Sequence, residues 1–267
     1  VTACASTPDP VEIPAADLVT VQIPELSVVS AQAIADSGVK QFEVDGLKVV
    51  VKSIPGRPVV ATRVYIAGGL TQADPATVGL EKLALQVGTA SGTETTPRAE
   101  FKAQLESMGS SIGSSSNRDY SSITAGSIRP YFEPTWALLV QVLTEPGFDP
   151  KEFELIKTRT VESIRSRQDD PDSSIRRAAQ EVFFEGHPYR FDTAGELETV
   201  EPLTRDQLVA CYKGLMTRER LTIVVVGDVN PGEIEASVKA DLAGIPRGEF
   251  KPQLPPEILP GPAAVKV

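Results

Sequence analysis

The chain has 267 residues, room for one large domain or one and a half ordinary ones. A net charge of -10 sets it against nucleic-acid binding, because a phosphate backbone repels an acidic surface. With one histidine (His187) and two cysteines (Cys4 and Cys211), the composition excludes most histidine-rich chemistry, since a zinc site normally needs three or four His, Cys or carboxylate ligands and a Ser-His-Asp or Cys-His device could use only His187.

Residues 1–38 read as a tether, punctuated by Pro8, Pro10, Pro14 and Pro24. At its start, Val1-Thr2-Ala3-Cys4 resembles the lipobox that ends a bacterial lipoprotein signal peptide. On that reading Cys4 is the lipid attachment site. Acyl chains on its sulfur and the Pro-rich stretch after it would hold the domain on the periplasmic side of a bacterial cell envelope. The alternative is an unmodified cysteine. No stretch of about 18 apolar residues exists, so no membrane-spanning helix is expected.

Order begins at residue 39, where two β-rich runs flank Asp45-Gly46 and predict a hairpin. Residues 58–69 alternate, with Val60, Thr62, Val64 and Ile66 on one face of a strand that ends at Gly68-Gly69. A helix follows over about 76–89, with Asp74 as N-cap and Pro75 in its first turn. A second helix spans 97–109, with Phe101 and Leu105 one turn apart and Gly109 as the stop. The serine-rich stretch 110–128 alternates and reads as a hairpin. Helices are predicted over 134–143 around Trp136, over 149–170 with Phe153, Ile156, Thr160 and Ile164 as inner stripe, and over 171–186. The His187-Pro188-Tyr189 loop leads to a helix over 204–215 capped by Thr204. The apolar run 221–229 is a central strand, 231–242 a closing helix, and 249–267 a Pro-rich linker to a second domain. This order defines an α+β fold, an antiparallel or mixed sheet with helices mainly on one face.

The order of pieces resembles the N-terminal half of the pitrilysin/insulinase zinc metallopeptidase family over roughly residues 40–248. The resemblance rests on "DGLKVVV", on "YIAGGLTQADPATVGLEKLALQVGTASGT" and on "GHPYRFDTAGELETVEPLTRDQLVACYKGLMTRERLTIVVVGDV". It implies the fold of the mitochondrial processing peptidase-like metallohydrolase domains. It also implies where the family's zinc chemistry would sit: two histidines and a glutamate in H-x-x-E-H on one helix, and a distal glutamate on another. With Gly79-Leu80 aligned on the family's Gly-Leu, the first histidine falls on Lys82, the glutamate base on Leu85, the second histidine on Gln86 and the distal ligand on Ser163. None of these residues can do the family's work, and no metal or other cofactor is expected. Glu81 and Glu162 lie one residue off, a rotation of about 100° on a helix, and should point elsewhere.

Other candidates read as structural. His187 is a loop residue. The acidic run from Asp169 to Asp172 could attract calcium but more commonly caps a helix. Cys211 reads as a buried, inert thiol. The expected function is a non-catalytic subunit that pairs with a homologous zinc-bearing subunit to form a peptide-binding chamber. The alternative is a structural subunit of a membrane-associated, for example respiratory, protein complex.

Overall fold

A computed structural model describes residues 38–256; residues 1–37, which hold Cys4 and all but the last residue of the predicted tether, and residues 257–267 lie outside it. Strands β1 (Val39–Val44) and β2 (Leu47–Ser53) pair around Asp45-Gly46, whose φ values of 50° and 92° match a two-residue hairpin turn. They are followed by β3 (Val59–Ala67), by the hairpin of β4 (Ser111–Ser116) and β5 (Tyr120–Ile128), and by β6 (Leu221–Gly227).

The six strands form one sheet in the order β1-β2-β6-β3-β5-β4. The last strand in sequence therefore sits third. It runs parallel to β2, with Val51 opposite Val225, and antiparallel to β3, with Val64 opposite Ile223. All other pairings are antiparallel, so the sheet is mixed, as expected.

The described residues form eight α-helices: α1 (Leu80–Ala90), α2 (Arg98–Ser107), α3 (Phe132–Thr144), α4 (Pro150–Asp169), α5 (Pro171–Phe183), the single turn α6 (Leu197–Val200), α7 (Arg205–Leu215) and α8 (Pro231–Asp241). One sheet face carries Val49, Val51, Val64, Ile66, Ile123, Ile223 and Val225. These residues join Leu85 of α1, Leu139 of α3, Leu208 of α7 and Val238 of α8 in one core cluster. The opposite face presents Lys48, Arg63, Tyr65 and Thr222 at intermediate to high exposure. The period-2 alternation of the strands, buried on one side only, places the helices mainly on one face.

Several element boundaries differ from the sequence expectation. Asp74 does cap, but it caps a short 3-10 turn (Pro75–Thr77), its Oδ1 accepting from the Ala76 N–H at 2.8 Å. Val78 is then non-helical, and Gly79 takes a left-handed φ of 96°, so α1 starts at Leu80 rather than near 76. Gly79 is required there twice over, because a Cβ on it would also lie 2.7 Å from the Ala194 carbonyl oxygen. Helix α3 begins two residues early, at Phe132, and α6 is too short to show a period. Thr204 caps α7 as expected, and Gln207 completes a capping box with it.

The seat of α1 on α7 is set by a glycine. A Cβ at Gly88 would lie 2.6 Å from the ring of Tyr212, which is buried and donates its hydroxyl to the Val142 carbonyl oxygen at 2.7 Å. Burial holds the Tyr212 phenol protonated by raising its pKa. The Arg220 guanidinium stacks on Phe250 at 4.0 Å. The Gln72 and Gln253 groups exchange two hydrogen bonds of 2.9 Å, so residues 250–253 lie against the body. Among the described residues no helix is long and apolar enough to cross a membrane.

Gly88→Ala is expected to cost about 1–3 kcal/mol through overpacking against Tyr212. A melting temperature several degrees lower, followed by circular dichroism, is the expected reading.

Candidate functional site

Helix α1 has two working faces. Leu83, Leu85 and Val87 point into the core, while Lys82, Gln86 and Thr89, spaced four and three apart, line an open cleft of about 560 Å³. The facing wall is α4, through Glu152, Ile156, Arg159, Thr160, Ser163 and Arg167, and the strand β4 closes one side with Ile112 to Ser114. The fold therefore brings Lys82, Gln86 and Ser163 together, three of the four positions singled out from the sequence. It does not bring Leu85 with them. That side chain is 1% exposed and belongs to the core.

Glu81 and Glu162 lie away from the cleft. The Glu81 carboxylate accepts from the Gly69 N–H at 2.9 Å and from the Ser121 hydroxyl, tying α1 to the ends of β3 and β5. Glu162 is exposed on α4 and is not part of the lining. The one-residue offset thus has the consequence expected from helical rotation.

Charge in the cleft is unevenly compensated. Glu152 is buried and ion-paired with Arg98 at 2.8 Å, and Arg167 is paired with Asp192 at 2.9 Å. Thr89 donates its hydroxyl to the Leu85 carbonyl at 2.8 Å. The side chains of Lys82, Gln86, Arg159 and Ser163 form no hydrogen bond or ion pair with any other described residue. The sequence reading missed Arg159 and Glu152. The available signal was spacing on α4, where Arg159 precedes Ser163 by one turn and so shares its face. Among the described residues, no three His, Cys, Asp or Glu side chains converge as metal ligands would.

The remaining candidates are structural. His187 is 6% exposed; its Nδ1 accepts from the Tyr189 N–H at 3.0 Å, and its ring packs edge-on against Tyr189. Asp170 caps α5, accepting from the Ser173 N–H at 2.9 Å, and its hydrogen bonds with Ser173 lower its pKa. Cys211 is half-buried, and burial, reinforced by the Glu81 carboxylate, pushes its thiol up to about 12.

Comparison with known proteins matches this architecture. The model of the insulinase family (peptidase family M16) aligns with residues 48–195, and that of the peptidase M16 inactive domain with residues 202–266. The chain belongs to the insulinase family. It is 29% identical over 101 residues to "Uncharacterized zinc protease YmfH" of Bacillus subtilis, covering 38% of this chain and 24% of that protein. It is 22% identical over 182 residues to "Non-peptidase homolog YmxG" of Helicobacter pylori, covering 68% of this chain and 42% of the relative. Among solved structures, the peptidase M16 inactive domain from Pseudomonas fluorescens superposes with a TM-score of 0.74 at 21% identity, over 82% of this chain and 54% of that one. The periplasmic protease PqqL from Escherichia coli superposes with a TM-score of 0.71 at 19% identity, over 81% of this chain and 25% of that one. The chain thus spans less than half of either sequence relative and about half of the first structure.

A thiol held near 12 is almost entirely protonated at pH 8. Alkylation of Cys211 by iodoacetamide at that pH should run at least about a hundredfold slower in the folded protein than in the denatured chain, where thiols titrate near 8.5. Mass spectrometry of the Cys211 peptide over time gives the ratio.

Proposed function

We propose that this chain is a non-catalytic member of the insulinase family that holds peptide and pairs with a second, zinc-bearing subunit of the same fold to enclose a chamber. The observation that carries the reading is the side-chain set on α1 and α4. Lys82 contributes a cation that repels Zn²⁺, and Gln86 and Ser163 offer only a neutral amide oxygen and a hydroxyl. This set does not fit a zinc ion. Leu85, sealed in the core, has no proton to exchange with a water or a substrate. The match to the inactive-domain model and the likeness to a relative named a non-peptidase homolog support the same reading.

Two surfaces support the roles of peptide holder and partner. Strand β4 is the last in the sheet order, so its outer edge can accept an extended peptide by strand addition alongside the cleft. Helix α5 has no buried residue, yet Ile175, Val182 and Phe183 are 69%, 65% and 73% exposed and share one face at i, i+7 and i+8. An apolar helix stripe left in water is what a docked subunit would cover. An envelope location, on the periplasmic side, is consistent with the periplasmic relative and with Cys4 as a lipid attachment site.

The purified chain, with added zinc, should leave a quenched fluorescent peptide uncut. Chelator-sensitive cleavage that tracks the chain through purification would overturn the reading. Affinity capture of the native protein should bring down a subunit carrying intact H-x-x-E-H, and the double variant Val182→Asp, Phe183→Asp should lose it. Capture of membrane-complex subunits without that motif would favour the structural-subunit alternative.

A further inference from the structure

We propose that the cleft between α1 and α4 is a carboxylate receptor, so that the peptide this chain holds is recognised by an acidic group placed where a family enzyme would hold its metal. The inference rests on the peptide-holding reading above and adds the substrate's chemistry. Its basis is the inventory of groups with nothing else to bind. Lys82 and Gln86 stand one turn apart on α1, and Arg159 and Ser163 one turn apart on α4, all lining the same cleft, with none of the four side chains engaged by another described residue.

Every one of the four can donate. The ammonium offers three N–H groups, the guanidinium five, the amide two and the hydroxyl one; two of the side chains accept nothing. The other charges in the lining cancel locally, Glu152 against Arg98 and Arg167 against Asp192, which leaves Lys82 and Arg159 uncompensated. A local excess of positive charge on a chain of net charge -10 is not a property of the surface at large. The group that satisfies such a set is acceptor-only and anionic, and charge-assisted bonds of this type are the stronger class.

Geometry selects a carboxylate borne on a peptide. The cleft adjoins β4 at Ile112 to Ser114, and β4 is an edge strand. A strand added there sends alternate side chains to each face, and those on the helix side enter the cleft. The carboxylate can come from an Asp or Glu side chain at such a position or from the peptide's own C-terminus.

The test uses the full chain and three fluorescein-labelled extended octapeptides of one alternating Val/Thr sequence. One has a central Gln and an amidated end, one a central Glu and an amidated end, and one a central Gln and a free C-terminal carboxylate. Anisotropy at low ionic strength should give about tenfold tighter binding for the Glu peptide or for the free-acid peptide, and which of the two gains identifies the source of the carboxylate. The gain should shrink toward 0.5 M salt, roughly where the screening length falls to a few ångströms. It should vanish in Lys82→Ala, Arg159→Ala and return in part with Arg159→Lys. Neither side chain is in the core, so an unchanged melting temperature verifies folding. Equal binding of all three peptides, or a gain that survives the double variant, overturns the carboxylate receptor while leaving the peptide-holding reading intact. Failure of all three to bind removes both.

Discussion

The approach of α1 to Tyr212, permitted by the missing side chain of Gly88, is the contact on which the rest of the arrangement depends. Tyr212 is anchored by its hydroxyl to α3 and by its ring to Phe148, so it is a fixed post rather than an adjustable neighbour. Once α1 rests on that post, its rotation is set. Leu83, Leu85 and Val87 are committed to the core, and Lys82, Gln86 and Thr89 must face α4 and β4. Glu81 reinforces the setting from the opposite side through Gly69 and Ser121. The cleft is therefore a by-product of core packing, and its contents can change without disturbing what holds it open.

That separation accounts for the combination found in this chain. A buried helix face is constrained by volume, so apolar residues there are set by fit. A face that lines solvent has no such constraint, and Lys82, Gln86 and Ser163 occupy it with no clash and no buried unpaired charge. Leu85 is the informative case. A carboxylate at that position would need a hydrogen-bond donor or a counter-charge to offset its desolvation, whereas leucine gains about 1.5–3 kcal/mol from the same burial. Stability therefore favours the apolar side chain at this buried position.

The fold was legible in the sequence wherever a local rule governed the outcome. Asp45-Gly46 specified its hairpin through positive φ, Thr204 the start of α7, and the β-branched apolar run 221–229 its central strand. Legibility failed where a distant group decided. The start of α1 depends on Gly79 meeting the Ala194 carbonyl, more than a hundred residues away in sequence, and no local signal announces that. Trp136 looked simply apolar, yet its indole N–H is taken up by Asp241 at 2.7 Å. At the cleft, the α1 positions and Ser163 followed from motif spacing. Arg159 and the neutralising pairs Arg98–Glu152 and Arg167–Asp192 did not, because ion pairing between elements depends on tertiary placement that spacing within one helix does not encode.

The place of β6 governs when the molecule can be finished. Until Leu221–Gly227 exists, β2 on one side and β3 on the other have no common neighbour, and the sheet is two separate pieces with a vacant slot between them. Synthesis delivers that strand after every other described strand and all but one of the described helices. A nascent chain therefore carries two unsatisfied, valine-rich edges throughout its elongation. Those edges are templates for pairing with foreign strands until the slot is filled. Closing that slot is a late step, and without β6 the pair β1-β2 and the trio β3-β5-β4 lack the strand that joins them.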